Sequence, residues 1–343
     1  MTVQEPELRE VADGVHAYLQ RGSWGFSNAG LVAGEHDCLL VDTLYDLKLT
    51  RRMLFEMRRR VPVADRIATV VNTHANGDHC WGNQLVRGAN IVSSHAAARE
   101  MKELSPRLMA TLVGASRKIA GFGPRRRGLL RVLGKLGVAR AGALAEAAEF
   151  IVQCFGAFDF KGISLTLPTT TFSGRFSIAA ADRKIELIEV GPAHTKGDVI
   201  VHLPKERVAF TGDILFVGSH PIIWEGPVKN WIRACDRLLE LDVDVVVPGH
   251  GPLTDKAGVR RTKDYWERLI ETARRGRDAG ATPDAIAREL LSQAFDGWGE
   301  AHRLAVNVDT ICRELAGDRS RRDPLVLMAR MARLDRVTPP RAA

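Results

Sequence analysis

The chain has 343 residues, 45% of them hydrophobic and 26% charged, enough to bury a substantial core in one large domain with an appendage or in two ordinary domains. No run approaches twenty apolar residues, which excludes a simple membrane-spanning helix, and the acidic start MTVQEPELREVADGVHAYL lacks the basic-then-apolar layout of a secretory signal. The net charge of +8 is local: residues 104 to 145 hold no acid but carry Arg107, Arg117, Lys118, Arg125, Arg126, Arg127, Arg131, Lys135 and Arg140, so the rest is close to neutral and general affinity for polyanions does not follow.

In chain order, VHAYL, NAGLVAG and CLLVDT read as short strands, the last after a GEHD turn. LKLTRRMLFEMRRR, residues 47 to 60, has apolar positions at helical spacing and a basic outer face. ATVV is a β-branched strand that runs into the polar window NTHANGDHCWGN, and a helix and the strand NIVSS are expected to follow. Residues 95 to 155 turn Ala-, Leu- and Arg-rich and predict a helical insertion in a β-rich core. Strands resume with ISLTLPT, FSIAAA, KIELIEVG, DVIVHLP and RVAFTGD; VKNWIRACDRLLEL is an amphipathic helix and DVVVPGHGPL a buried strand ending in a Gly/His turn. Residues 256 to 343 predict a C-terminal helical extension. The five cysteines, Cys38, Cys80, Cys154, Cys235 and Cys312, are scattered and never paired as CxxC, which predicts reduced thiols in a cytoplasmic protein.

Four polar loops each follow an apolar strand: THANGDH, GPAHTKGD, FTGD and PGHG. Parallel strands would bring such ends side by side, where ligands bind, and His and Asp are the residue types that coordinate zinc, iron or manganese. Singly, each loop has a plainer reading. Asn76-Gly77 is a turn signal, His194 beside Gly191-Pro192 is a turn residue, and Asp213 after Gly212 is a helix N-cap. Jointly the four favour a metal centre.

This order of loops resembles the metallo-β-lactamase-fold hydrolase superfamily, with the metal set of its glyoxalase II-like and lactonase-like members, over about residues 10 to 255. The family pattern HxHxDH, then a His, an Asp in TGD and a His in PGHG, maps onto His74, Asn76, Asp78 with His79, His194, Asp213 and His250, with Asn76 in place of the second histidine. Asp42 sits where the family keeps an acid beneath the metal loop. The resemblance implies an α/β fold, a four-layer αβ/βα sandwich spanning residues 1–255, with the helical insertion at about 95–155 and the extension at 256–343. It implies a second metal position held by Asp78, His79, His250 and the bridging Asp213, and a first that keeps His74 and His194 beside Asn76. The expected cofactor is Zn2+, one or two per chain, with iron or manganese as the oxygen-tolerant options.

The implied activity is metal-dependent hydrolysis of an ester, thioester, lactone or related carbonyl substrate. Asp78 would orient or deprotonate the water and His194 would shuttle a proton. An iron-dependent oxygenase, or a cyclase or lyase, is the competing class, which Asn76 would suit. A nuclease of the same fold is disfavoured by an aromatic content of only 6% and the lack of a second nuclease module. The partner is a small-molecule substrate, with an anionic or carrier-linked acyl group as one option for the basic insertion; a solvated helix face and a membrane-surface helix are the others. A homo-oligomer is compatible with the sequence.

Overall fold

The computed structural model describes residues 5–122, 139–292, 295, 297–318, 320 and 322–338. It divides into two compact units, one of Met1–Arg107 with Asp159–Trp266 and the other of Leu108–Phe158 with Glu267–Ala343. The expected borders at residues 95, 155 and 255 thus differ from the observed ones, and the insertion groups with the C-terminal segment that the sequence reading kept separate.

The first unit carries two sheets. The seven-stranded sheet runs in the order β1 (Glu7–Ala12), β2 (Val15–Leu19), β3 (Ala29–Ala33), β4 (Cys38–Val41), β5 (Ile67–Val71), β6 (Asn90–Ser94) and β7 (Thr170–Phe172). The five-stranded sheet follows the order β12 (Val245–Val247), β11 (Val208–Phe210), β10 (Val199–Leu203), β9 (Arg183–Glu189) and β8 (Arg175–Ala180). Alternation of side chains along each strand sorts the apolar residues into two cores. Val32, Leu39, Val41, Val71 and Val92 face Leu187, Val199, Val201, Phe210 and Val247 between the sheets. Their neighbours Leu31, Leu40, Val70 and Ile91 face outward, against Met53, Leu54 and Met57 of helix α1 (Leu47–Arg60). Strands covered on both faces explain the continuous apolar runs CLLV and ATVV. Helix α1 starts at Asp46, whose carboxylate accepts the Leu49 N–H at 2.8 Å, and ends in Arg58, Arg59 and Arg60, which suit the negative end of the helix. The architecture is the expected α/β sandwich.

Both sheets are mixed, yet they deliver the four polar loops to one edge. Strands β4, β5, β6 and β7 are parallel. Strand β10 is antiparallel to both β9 and β11, and β11 is parallel to β12, so β9, β11 and β12 point the same way and end together.

The structure departs from the sequence reading at three places. ISLTLPT is not a strand; only Thr170–Phe172 pairs with β6. The Thr166 carbonyl accepts the Asn83 amide at 3.1 Å and the Ser164 N–H goes to Gln84, so side chains replace a ladder, and Pro168 removes one donor. Strand β1 was not anticipated because its charged residues break the apolar signal, as suits an edge strand. The helix expected between the polar window and NIVSS is short: α2 (Gly77–Cys80), then a 3-10 turn at Asn83–Leu85.

Helix α3 (His95–Glu100) follows β6 in the first unit, and α6 (Val228–Glu240) buries Trp231, Cys235 and Leu238 there. The second unit contains α4 (Pro106–Ala120), α5 (Ala139–Phe155), α8 (Pro283–Ser292), α9 (Leu304–Leu315) and α10 (Pro324–Asp335); the unit boundary falls inside α7 (Lys256–Asp278). Its interior includes the buried Asp309, which pairs with Arg313 and Arg330, and Arg333 and Arg336 pair with Glu146. Arg125, Arg126, Arg127, Arg131 and Lys135 lie outside the described residues. Among the described residues no helix is long and apolar enough to cross a membrane.

Candidate metal centre

The loop after β5 supplies His74, then Asn76 at the start of α2, whose first turn carries Asp78 and His79. The loop after β9 supplies His194, the 3-10 turn Gly212–Ile214 after β11 supplies Asp213, and the turn after β12 supplies His250. The turns are shaped by glycine where the backbone must pass close. A Cβ on Gly249 would lie 2.0 Å from Asp213 Oδ1, and Gly212 has φ +49° with a would-be Cβ 2.5 Å from the Thr73 hydroxyl.

Each histidine is oriented by an oxygen at Nδ1. His79 Nδ1 donates to Asp42 Oδ2 at 2.9 Å, His194 Nδ1 to the Ile222 carbonyl at 2.7 Å, and His250 Nδ1 to the Phe26 carbonyl at 3.2 Å. The Thr73 hydroxyl donates to Asp42 Oδ2 at 2.7 Å. It therefore accepts from His74 Nδ1 at 3.0 Å, because its one proton is already placed. All four rings thus turn Nε2 toward the centre, the arrangement that carbonyl and carboxylate partners impose on metal-binding imidazoles.

Those Nε2 atoms converge on Asp213. His79 Nε2 is 3.1 Å and His250 Nε2 3.3 Å from Asp213 Oδ1; His194 Nε2 is 3.2 Å and His74 Nε2 3.8 Å from Oδ2. Asp78 Oδ2 lies 3.4 Å from His250 Nε2 and 3.8 Å from His79 Nε2. Two groups of ligand atoms fall within 4.8 Å: His74, His79 and Asp213, and Asp78, His79 and His250. His194 is in neither group. Asn76 reaches it instead, with Nδ2 2.9 Å from His194 Nε2. His74, His79 and His194 are fully buried, while Asn76 and Asp78 are half-buried and form the exposed side of the centre.

The electrostatics is that of a cation site. Burial pulls the His79 imidazole down, but the Asp213, Asp78 and Asp42 carboxylates outweigh it and hold it well above its ordinary value. The same opposition pushes His250 up to about 9. Burial would raise Asp213, yet four surrounding histidines, His250 foremost, hold it well below the carboxylate range. Burial and the neighbouring His79 keep His74 neutral, and burial does the same for His194. His74 Nε2, His79 Nε2 and Asp213 Oδ1 are buried without a hydrogen-bond partner; at 3.1 Å His79 and Asp213 are close but misaligned. Unpaired buried donors and acceptors are costly; a divalent metal in the Asp78–His79–His250 cluster would satisfy His79 Nε2 and Asp213 Oδ1, while His74 Nε2 belongs to the other group of ligand atoms, with His79 and Asp213. The nitrogen and oxygen donors fit such an ion.

Several supporting residues escaped the sequence reading. Ser27 donates its hydroxyl to the Asp78 carbonyl at 2.5 Å. Asn28 donates its side-chain amide to the Pro248 and Gly251 carbonyls at 2.9 and 2.8 Å and its backbone N–H to Gly249 at 2.7 Å. With the Phe26 carbonyl, this one segment braces both Asp78 and His250; its sequence signal is the polar pair Ser27-Asn28 ahead of β3. Asp198 accepts the Thr195 N–H at 3.0 Å and hydroxyl at 2.6 Å, closing the His194 loop. Trp81 is a packing residue, stacked on Tyr45 at 5.2 Å and edge-on to Phe160 at 5.5 Å.

The profile of the Metallo-beta-lactamase superfamily matches residues 22–250. The chain is 32% identical over 124 residues to the 2,4-dinitroanisole O-demethylase subunit alpha of Nocardioides sp., covering 35% of this chain and 38% of that protein. It is 23% identical over 256 residues to the acyl-coenzyme A thioesterase MBLAC2 of Bos taurus, covering 71% and 80%. The bovine protein apart, the chain spans about half or less of the curated relatives it matches. A metallo-beta-lactamase from Pontibacter korlensis shares the fold, with a TM-score of 0.52, 18% identity, and coverage of 77% of this chain and 99% of that one. On this match, which takes in all four metal-centre loops, the chain belongs to the metallo-beta-lactamase superfamily.

Proposed function

We propose that this protein is a metal-dependent hydrolase of small carbonyl substrates, with thioesters first among ester, thioester and lactone. The observation that carries the reading is the set of four Nε2 atoms gathered around Asp213 with every Nδ1 tied to an oxygen. Zinc is the metal we assign, held by Asp78, His79, Asp213 and His250. When bound, it would supply Lewis acidity and bring the pKa of a water toward 7.

The chain's own groups divide the remaining work. Asp78, half-buried with Oδ2 3.4 Å from His250 Nε2, would orient the attacking water and accept its proton. His194, kept neutral by burial, takes up and returns a proton at Nε2. The thioester choice is supported by similarity along most of the chain to a protein named as an acyl-coenzyme A thioesterase. The anionic carrier of such a substrate would suit the basic insertion. Five buried cysteines without a disulfide favour action in a reducing compartment such as the cytoplasm.

The test is turnover of an acyl-coenzyme A, a nitrophenyl ester and a lactone by purified protein, before and after chelation. The reading expects activity lost with the chelator and restored by zinc, greatest on the thioester. Chelator-insensitive turnover, or none on any class, overturns it. Iron content with oxygen consumption would assign the oxygenase class instead.

A further inference from the structure

Asn76 stands where a ligand to a first metal would be, and its amide is already engaged. The Ile222 carbonyl at 2.7 Å requires His194 Nδ1 to carry the proton, so Nε2 is an acceptor, and only the NH2 end of Asn76 can face it at 2.9 Å. The lone pair that would bind a first metal is therefore spent on a hydrogen bond. Of the prospective donors to that position, His74 Nε2 lies 3.8 Å and His194 Nε2 3.2 Å from Asp213 Oδ2, so it is the engagement of His194 by Asn76, not the spacing, that sets this position apart.

We infer that Asn76 closes the first metal position by donating its amide to His194 Nε2, so that the protein holds a single tightly bound metal in the Asp78–His79–His250 cluster with Asp213. This rests on the metal-centre reading above and deepens it. Turning the amide over would set its oxygen against the His194 lone pair. A first metal must therefore displace a donor and gain only a neutral oxygen, which coordinates zinc less well than imidazole. His194 is then a metal-free imidazole, and taking up a proton at Nε2 requires the Asn76 amide to turn its oxygen to the new N–H.

Metal content after dialysis against dilute zinc, and cobalt(II) titration followed by its visible absorption, read this without reference to turnover. The wild type should bind one equivalent. Asn76→His should bind two, and Asn76→Ala, which frees His194 without adding a ligand, should show a second and weaker one. His194→Ala should keep the single equivalent, whereas His250→Ala should lose it. Two tight equivalents in the wild type, or loss of the single equivalent in His194→Ala, would overturn the inference while leaving a metallohydrolase in place. One equivalent in both folded Asn76 variants overturns it equally, because some other group then limits the site. No metal in the wild type would overturn the metal-centre reading itself.

Discussion

Asp42 Oδ2 lies 2.9 Å from His79 Nδ1 and accepts the Thr73 hydroxyl at 2.7 Å, so one buried oxygen orients His79 directly and His74 through Thr73. Asp42 Oδ1 accepts the Thr73 N–H at 2.7 Å, and the residue has φ +62°, a left-handed conformation that Asp and Asn tolerate better than other side chains. Asp42→Asn therefore preserves the backbone and the Oδ1 contact but sets an NH2 group against His79 Nδ1. His79 must then present Nε2–H to the centre. Zinc affinity should fall about 10- to 100-fold, measured by competition with a chromophoric chelator. Unchanged affinity would mean that Asp42 is only a packing residue.

Gly249 separates strain from collision. A methyl group there would overlap Asp213 Oδ1 at 2.0 Å and the Gly212 carbonyl carbon at 2.6 Å. Gly249→Ala should cost about 1–3 kcal/mol in stability and deplete the metal by displacing Asp213. Gly218 has φ +77° but nothing within 4 Å of a would-be Cβ, so Gly218→Ala should cost only about 1 kcal/mol and keep its metal. Equal metal content in the two variants would disprove the role given to Gly249.

Much of this architecture was legible in the sequence, for local reasons. Helix α1 declares itself through its apolar spacing, and the four loops through polar residues at the ends of apolar strands. What was not legible depends on distant backbone. The Asn28 amide meets a carbonyl 220 residues away, and no pattern near Asn28 points there. Asn76 is visibly out of place in THANGDH, yet its partner is set by the His194 loop 118 residues on. The mixed strand directions were equally hidden, since β9, β11 and β12 share an edge only because an antiparallel β10 lies between β9 and β11.

The basic insertion makes a kinetic prediction. Replacing Arg125, Arg126 and Arg127 together with alanine should raise KM for an acyl-coenzyme A and spare a neutral nitrophenyl ester, because only the former presents phosphates to the positive charge. Equal effects on both substrates, or none, would assign this run to a solvated surface.

Asp198 makes a prediction about pH. It is buried in the His194 loop, and burial, with Glu100 and Asp213 nearby, pushes its carboxyl up to about 7 despite the hydrogen bonds from Thr195. The folded value exceeds the unfolded value of about 3.9. The group's contribution to stability is therefore full below pH 3.9 or so and is lost as pH rises through about 7. Metal-free wild-type protein should lose roughly 2–3 kcal/mol from this source between about pH 5 and 8. Asp198→Asn keeps Oδ1 as acceptor for both the Thr195 N–H at 3.1 Å and its hydroxyl at 2.6 Å, but it cannot ionise. The variant should fold, and its urea midpoint should decline less over the same range, so the difference between the two proteins isolates Asp198 from every other titrating group. Parallel slopes would show that Asp198 stays ionised throughout and that its hydrogen bonds from Thr195 outweigh burial.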